Sequence, residues 1–317
     1  MENKPISKKA RIAIIRCSGA LNLGNEFINA GGEVLVKTCF SSSTLYYFEY
    51  FDSCIIDSYS YPSKAFTDSS LEFINNCDII ILFGGSIISK YMIPLFEQLK
   101  ILKPIKFLIG ASLYMYNDEE KRIATKLFNV FDFIVTRDHV TYQALGNKER
   151  TLNGIDLAFL IDKNKICAPE RGGYHLINLD LIQDNKDEIK KFYNDFVQSR
   201  HTAYIIENTT NTHRDIEGYV FLSYWESLYG IIANAESVIT NKIHTSLVCM
   251  KNGVGFTYKG DDQGGKSGRN TLFNEIGFCL ENKEYSKDIV AGYSYAINAR
   301  IKEFYYDFYK FIISQLS

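Results

Sequence analysis

One stretch of the chain, residues 235–278, concentrates the residue types that can hold and act on an anion. Asn241, Lys242 and His244 follow the apolar run Ser237–Thr240 and open a segment of helical character. At such a strand-to-helix junction the first backbone N–H groups have no partner within the helix, which favours a bound phosphate or carboxylate. His244 could also act as a general acid or base, because an unperturbed histidine titrates near neutrality. The same residues equally suit a plain helix start whose histidine is only hydrogen-bonded.

A glycine-rich loop follows in the same stretch, and residues Gly260–Ser267 formally match the phosphate-binding pattern G-x-x-x-x-G-K-[ST]. Three observations argue against a nucleotide triphosphatase. Two aspartates of the loop would face phosphate groups, only about fifty residues remain downstream, and no later apolar strand ends in a metal-binding aspartate. We interpret the loop as one that closes over an anionic substrate with Lys259, Lys266 or Arg269. The alternative is a solvated surface loop.

The first half of the chain carries two further candidates at the ends of apolar runs. Gly84–Ser86 end the run Asp78–Phe83 (DIIILF), which is typical of a central parallel strand covered on both faces. Arg137 and Asp138 follow another apolar run and open a helix, so they occupy the junction that corresponds to Lys242 in the second half. An exposed arginine at such a junction can also be merely solvated.

Composition excludes several classes of function. The 317 residues carry a formal net charge of −2, so no global field attracts nucleic acid or an anionic membrane. Seven cysteines are scattered without a C-x-x-C pair, which suits reduced thiols. The basic start of the chain has too short an apolar run for a signal sequence, and nowhere do about 18 apolar residues follow one another. These observations predict a soluble, cytoplasmic protein.

Strand-like and helix-like segments alternate along the chain, with one interruption at the Pro- and Gly-containing residues 162–173. This pattern predicts an α/β protein of two doubly wound, Rossmann-like domains, residues 1–165 and 166–317. Ligands of such sheets bind at the carboxyl ends of the strands, here in a cleft between the two domains.

Three predictions concern segments near the start of the chain. The β-branched residues of segments 33–40 and 53–60 predict two strands. Residues 17–26 are expected to form a loop after the first strand. At the other end of the chain, an aromatic helix is expected over residues 300–315.

A set of short motifs, in their order and spacing, resembles the polysaccharide pyruvyl transferase family over residues 11–278. The motifs are Asn22–Glu26 (NLGNE), Asp78–Ser86 (DIIILFGGS), Thr136–Asp138 (TRD), Gly154–Leu160 (GIDLAFL), Thr240–Ser246 (TNKIHTS) and the loop from Tyr258 to Lys266. The resemblance implies a two-domain architecture like that of GT-B glycosyltransferases. It also implies transfer of pyruvate from phosphoenolpyruvate to a sugar of a cell-surface polysaccharide or its precursor, as a cyclic ketal.

The resemblance assigns catalytic roles to His244, Arg137, Lys242 and Asp138. Arg137 would lie on the acceptor side in the first domain, and Lys242 with His244 would form the donor site in the second. Substrate contacts are expected from Asn22, Gly24, Asn25, Glu26, Gly84, Gly85, Ser86, Asp156, Asn241, Tyr258, Lys259, Lys266 and Arg269. His244 is the expected acid or base, with the carboxylates Asp138, Glu26 and Asp156 as alternatives.

The chain departs from the usual residues of the family at three positions. Asn25 stands where the family usually has aspartate, Lys242 where it has arginine, and Leu157 where proline is common. Lysine keeps the charge of arginine but lacks the bidentate fork that matches carboxylate and phosphate. The departures would suit an altered substrate, a weaker enzyme or a relative that transfers another group.

The expected partners follow from the resemblance. The acceptor would be a glycan or a lipid-linked saccharide, with peripheral association with membrane-bound glycan machinery and no nucleic acid. Phosphoenolpyruvate would be the donor substrate, and neither a further cofactor nor a metal ion is expected. Two alternatives remain open: a GT-B glycosyltransferase that uses a nucleotide-activated sugar, and a non-catalytic relative that binds a glycan or a protein.

Overall fold

Two sheets with helices on their faces form the part of the chain that the computed structural model describes. That part comprises residues 9–16, 23–50, 65–162, 164, 166, 173–179, 186–207, 216–260, 268–281 and 283–316. The strands of the first sheet are β1 (Arg11–Arg16), β2 (Thr44–Glu49), β3 (Ile79–Ile88), β4 (Ile105–Leu113), β5 (Phe133–Thr136) and β6 (Thr151–Asn153). They are all parallel and lie in the order β2-β1-β3-β4-β5-β6.

The second sheet repeats this design. Its strands are β7 (Tyr174–Asn178), β8 (Thr202–Glu207), β9 (Tyr219–Phe221), β10 (Ser237–Thr240), β11 (Gly255–Tyr258) and β12 (Glu284–Tyr285). They lie in the order β12-β11-β10-β7-β8-β9, and only β12 is antiparallel to its neighbour. The prediction of two doubly wound, Rossmann-like sheets is therefore confirmed.

The α-helices connect and cover the strands. They are α1 (Leu23–Cys39), α2 (Asp68–Asn75), α3 (Ile93–Lys100), α4 (Asp118–Ala124), α5 (His139–Leu145), α6 (Lys186–Gln198), α7 (Trp225–Asn234), α8 (Ile243–Asn252) and α9 (Lys287–Leu316). Two 3₁₀ segments, Leu157–Leu160 and Gly268–Ile276, also bear on the site described below. None of the helices in the described ranges is long and apolar enough to cross a membrane.

Two predictions for the start of the chain were wrong. Residues 33–40 form the last turns of α1 and its exit, because the buried residues Leu35, Val36 and Cys39 recur with helical spacing. Of the predicted loop 17–26, residues 23–26 belong to α1, so that Gly24, Asn25 and Glu26 lie in the first helical turn, and the rest lies outside the described residues. The strand predicted for residues 53–60 lies outside the described residues.

Helix α1 lies between the first sheet and the helices of the second half. A Cβ atom at Gly31 would lie 1.7 Å from the carbonyl oxygen of Leu157, so only glycine permits this approach of helix and 3₁₀ segment. One turn earlier in α1, the ring of Phe27 meets the rings of Tyr229 at 5.7 Å and Trp225 at 6.3 Å, measured between centroids. One apolar core therefore runs through both halves of the molecule.

The terminal helix α9 also joins the two halves. Arg300 donates hydrogen bonds to the carbonyl oxygens of Asn153 (3.0 Å) and Gly154 (3.2 Å), beside the edge strand β6. The ring of Phe311 lies 5.8 Å from that of Phe133 on β5. The predicted interruption at residues 162–173 lies largely outside the described residues, and the domain boundary at 165/166 stays a prediction.

Candidate functional site

A buried arginine stands at the centre of the candidate site. Arg137 follows β5 and is only 3% exposed. Its Nε donates to Ser112 Oγ (2.9 Å), its Nη1 to Asp156 Oδ2 (2.9 Å) and its Nη2 to Ser86 Oγ (2.7 Å). These bonds fix the plane of the guanidinium and use three of its five N–H groups. Within the described part of the chain, two N–H groups are left for a further acceptor.

The carboxylate of Asp156 holds this arginine in place. Asp156 is fully buried, and its Oδ1 accepts a hydrogen bond from the backbone N–H of Ala158 (2.9 Å), which caps the 3₁₀ segment Leu157–Leu160. Its Oδ2 accepts from Arg137. Burying either charge alone would be costly, so the two residues form a compensated pair in the interior.

His244 brings the second half of the molecule to the same carboxylate. It lies in the first turn of α8, and its Nε2 is 3.9 Å from Asp156 Oδ2. The edge of the imidazole also meets the ring of Phe27 on α1, with centroids 6.4 Å apart. Arg137 and His244 thus approach one oxygen atom from different sheets, so a guanidinium and an imidazole meet at the same carboxylate.

Lys242 is the N-cap residue of α8, and its side chain is partly exposed. The helix that starts here has ten residues, so the aligned peptide dipoles and first-turn N–H groups favour an anion at this end. The charge of Lys242 adds to the positive potential at this end of α8, and the predicted role of Lys242 stays a prediction.

Gly84 and Gly85 lie within β3 beside Arg137; the strand continues to Ile88 and, contrary to the prediction, does not end at these glycines. Gly85 has a φ of +113°, a conformation that residues with a side chain rarely adopt. A Cβ at Gly84 would lie 2.7 Å from the backbone of Ala111 on β4, so the two strands approach closely here. The register between β3 and β4 shifts at this point. Ser86 lies within this irregular part of β3, and both Ser86 and Ser112 accept hydrogen bonds from the guanidinium.

Asp138, the neighbour of Arg137 in the chain, is held by hydrogen bonds around the start of α5. It caps α5: its Oδ1 accepts from the Thr141 N–H (2.8 Å), and its Oδ2 accepts from Thr141 Oγ1 (2.9 Å) and Tyr116 Oη (3.2 Å). Burial raises the pKa of Asp138, and burial together with that carboxylate raises the pKa of Tyr116 to about 12. The geometry gives Asp138 a structural contact, and its predicted catalytic role stays a prediction.

The motif at the start of α1 has two different surroundings. Phe27 faces His244, which places the first turn of α1, with Gly24 and Asn25, near the site. Glu26 receives a hydrogen bond from Asn29 Nδ2 (3.3 Å), and burial raises its pKa. Asn22 of the same motif lies outside the described residues.

The residues predicted around the glycine-rich loop are only partly described. Tyr258 is buried in the core, and Asn241 is partly exposed beside Lys242. The ammonium of Lys259 lies 5.5 Å from the ring centroid of Phe192 on α6. Lys266 and the side chain of Arg269 lie outside the described residues. A 3₁₀ segment and not an α-helix follows the loop, which further weakens its match to a nucleotide-binding loop.

Sequence reasoning missed four polar residues that the structure places at or below the site. They are Ser112, Asn178, Thr240 and Thr245, all 2% exposed or less. The signal that could have found Ser112, Asn178 and Thr240 is a polar residue at the carboxyl end of an apolar strand, the same signal that identified Ser86. The described residues contain no group of three or more His, Cys, Asp or Glu side chains placed to hold a metal ion.

Two Rossmann-like sheets whose strand ends meet at a polar site define an α/β protein of GT-B type. Three solved structures share the fold. They are a putative UDP-N-acetylglucosamine 2-epimerase from Listeria monocytogenes (12% identity, TM-score 0.55, 94% of this chain and 90% of that one), the UDP-GlcNAc 2-epimerase from Neisseria meningitidis bound to UDP-GlcNAc (10%, 0.53, 93% and 92%) and S. aureus MnaA with UDP (9%, 0.57, 94% and 90%). At these identities the likeness shows the fold alone.

The sequence itself identifies the family. Residues 21–260 match the family described as polysaccharide pyruvyl transferase. The chain belongs to the polysaccharide pyruvyl transferase family and is a transferase, as the motifs predicted. No protein of curated function matches the sequence.

Proposed function

We propose that the protein transfers a pyruvyl group from phosphoenolpyruvate to two hydroxyl groups of a sugar and forms a cyclic ketal. The sugar belongs to a cell-surface polysaccharide or its precursor, as a glycan or a lipid-linked saccharide. The observation that carries the proposal is the meeting of Arg137 and His244, from separate sheets, at the buried carboxylate of Asp156 beside the start of α8.

The charges around this point suit the donor. Phosphoenolpyruvate carries a carboxylate and a phosphate, so its pocket needs two separated cationic contacts. The two N–H groups of the Arg137 guanidinium that have no acceptor among the described residues supply one, so we assign Arg137 to the donor and not to the acceptor side. The other comes from the amino end of α8 with the ammonium of Lys242.

The reaction needs controlled proton transfer. A proton adds to the methylene carbon of the donor, which becomes a methyl group, and a sugar hydroxyl attacks the neighbouring carbon and loses its proton. The bond from that carbon to the phosphate oxygen then breaks, and its electron pair leaves with phosphate. A second hydroxyl attacks the same carbon and closes the ketal. Of the two hydroxyl protons released, one replaces the proton given to the methylene and one leaves with phosphate.

His244 is the group that we assign to these proton transfers. Its ring lies at the start of α8, partly accessible, with Asp156 Oδ2 3.9 Å from Nε2. At 3.9 Å the carboxylate is too far from Nε2 for a hydrogen bond, but its charge favours the imidazolium that forms when the ring holds a proton. Because Asp156 is fully buried and already bonded to Arg137, we assign it orientation and not proton transfer.

The test is an assay of the purified protein with a galactoside acceptor and one of two donors. With phosphoenolpyruvate, release of inorganic phosphate and a new ketal methyl signal in the NMR spectrum are expected, and both should require the acceptor. Release of UDP from a UDP-sugar, without reaction of phosphoenolpyruvate, would instead identify a glycosyltransferase. If neither donor reacts but the galactoside binds, the protein is a glycan-binding relative. Thermal stabilisation by phosphoenolpyruvate gives an early indication of donor binding.

A further inference from the structure

A buried polar network lies directly below the start of α8. Asn178, the last residue of β7, is fully buried. Its Nδ2 donates to the carbonyl oxygen of Ile206 on β8 (2.9 Å), and its Oδ1 accepts from Thr245 Oγ1 (2.6 Å). Both ends of the amide are therefore used, and the side chain links two strands to the first turn of a helix.

Thr240 adds two further connections. Its Oγ1 donates to the carbonyl oxygen of Asn178 (2.8 Å) and accepts from the backbone N–H of Lys242 (3.0 Å). We call Asn178, Thr240 and Thr245 the Asn178 network. The network connects the end of β7 to two points of the chain. One is Thr240, just before α8, and the other is Thr245, in the first turn of α8.

The positions of these attachments relate directly to the assigned residues. Thr240 binds the N–H of Lys242 itself, and Thr245 is the neighbour of His244 in the chain. Threonine is restricted in its side-chain torsion, so a short hydrogen bond to a buried partner fixes the backbone that carries it. The Asn178 network therefore holds the backbone at Lys242 and next to His244.

We infer that Asn178 and Thr245 are positioning residues, which set the first turn of α8 for transfer without contacting the substrate. The inference rests on the proposed function, since it concerns the placement of Lys242 and His244. Misplacement of reacting groups by about 1 Å can cost about 100-fold in rate. In metal sites, loss of the residues that orient the ligands typically costs about 10–100-fold, and we take the same range here. We expect a decrease of that size in kcat/KM when the bond between Asn178 and Thr245 is removed.

A matched control separates positioning from general stability. Asn252 lies at the other end of the same helix, where it is also buried and donates to Val248 O (2.8 Å) and Tyr229 Oη (3.1 Å). Asn178→Ala and Asn252→Ala each remove a buried amide with two hydrogen bonds, so both should lower the melting temperature. Only Asn178→Ala removes a contact to the first turn of α8.

The experiment compares five proteins: the wild type, Asn178→Ala, Thr245→Val, Thr245→Ser and Asn252→Ala. Rates are measured with phosphoenolpyruvate and acceptor, per folded enzyme, at a temperature well below all melting transitions. Deuterium uptake is measured for peptides that cover residues 240–247. We expect Asn178→Ala and Thr245→Val to lose about 10–100-fold in kcat/KM and to exchange faster in these peptides. Thr245→Ser, which keeps the hydroxyl, and Asn252→Ala should keep a kcat/KM close to that of the wild type.

Several outcomes would overturn the inference. Equal rates for Asn178→Ala and Asn252→Ala would mean that the network only stabilises the fold and does not position the site. Equal loss in Thr245→Ser and Thr245→Val would show that the hydroxyl is not the relevant group. If the wild type releases no phosphate, the proposed function fails. The exchange data then decide on positioning alone, since unchanged uptake over residues 240–247 would contradict it and faster uptake would support it.

Discussion

Asp156 and His244 come from opposite halves of the molecule, and their Oδ2 and Nε2 atoms lie 3.9 Å apart. The same Oδ2 atom accepts a hydrogen bond from Arg137 at 2.9 Å. This contact depends on the packing of α1 and the 3₁₀ segment Leu157–Leu160 against α8, which brings the carboxyl ends of the two sheets together. The site is therefore a product of the interface between the halves and not of either sheet alone.

Replacement of Asp156 by asparagine tests the role of this carboxylate. Asn keeps an oxygen that can cap the 3₁₀ segment but removes the charge that compensates Arg137 in the interior. Because an uncompensated buried charge typically costs about 3–5 kcal/mol, we expect a decrease of that size in the free energy of unfolding in urea, and loss of transfer.

The control is Glu281→Gln, which removes an exposed ion pair with Lys283 and should leave the unfolding free energy nearly unchanged. Equal stability of Asp156→Asn and the wild type would mean that the Arg137 charge is compensated in another way.

The assigned proton transfer predicts the behaviour of His244→Asn. Loss of a general acid or base typically lowers kcat by about 10²–10⁴-fold, and we expect a loss in this range with little change in melting temperature. His139→Asn is the matched control, since His139 is exposed on α5 and contacts Gln143 of the same helix. Transfer by His244→Asn at the rate of the control would remove His244 from the mechanism.

Lys242 is expected to act through its charge. Lys242→Met should raise the KM for phosphoenolpyruvate about 10–100-fold, because a hydrogen bond to a charged group typically contributes about 1.5–3 kcal/mol. Lys242→Arg, which restores the usual residue of the family, should bind the donor at least as tightly, since the guanidinium can hold an anion with two bonds.

The control for charge alone is Lys302→Met on the exposed side of α9. If Lys242→Met and Lys302→Met have the same KM as the wild type, the donor is held without Lys242.

The sequence allowed the sheets to be predicted where apolar runs are continuous, as in Ile79–Phe83, because such runs favour buried parallel strands. It failed at residues 33–40, where the pattern of buried residues is helical but the valine content suggested a strand. Local composition and tertiary burial favour different structures there, and burial decides the outcome.

The candidate site was predictable only where local sequence marks a residue. Arg137 and His244 stand at strand-to-helix junctions, which can be read from local sequence. Their meeting at Asp156 and the support from Ser112 and Asn178 depend on strands that are far apart in the chain. No local pattern records which strand ends lie side by side, so these contacts appear only in the folded molecule.

A histidine remote from the site predicts a dependence of stability on pH. His175 stacks on Phe196 with centroids 4.5 Å apart, and its Nδ1 lies 2.8 Å from Ser237 Oγ. Burial, and secondarily the neighbouring His201, lowers the pKa of His175. As the pH falls through the ordinary histidine pKa of about 6.5, His175 takes up a proton in the unfolded chain before it does so in the folded protein. Protonation therefore favours the unfolded chain, and the free energy of unfolding should decrease.

The free energy of unfolding in urea, measured from about pH 8 to pH 5, checks this prediction, because this range spans the ordinary histidine pKa. His175→Phe keeps the stacking but cannot titrate, so its stability should fall less steeply below pH 6.5 than that of the wild type. The exposed His139→Gln should retain the full slope. An identical slope in His175→Phe and the wild type would contradict the assignment to His175.

Two helical glycines should respond to alanine in opposite directions. At Gly31 in α1 the new Cβ would lie 1.7 Å from the carbonyl oxygen of Leu157, so helix and 3₁₀ segment must separate. Overpacking of this kind typically costs about 1–3 kcal/mol, and we expect such a decrease in the free energy of unfolding. Because Leu157 follows Asp156 directly in the chain, the shift should also move the carboxylate and lower the transfer rate.

Gly292 in α9 provides the comparison, because a Cβ there meets no atom within 4 Å. Alanine favours a helix over glycine by about 0.5–1 kcal/mol, so Gly292→Ala should stabilise the protein and leave transfer unchanged. Urea unfolding and the transfer assay on both variants measure the two effects together. If Gly31→Ala is as stable and as active as the wild type, the close contact between α1 and Leu157 does not position Asp156. The inference that this contact couples packing to the site would then be wrong.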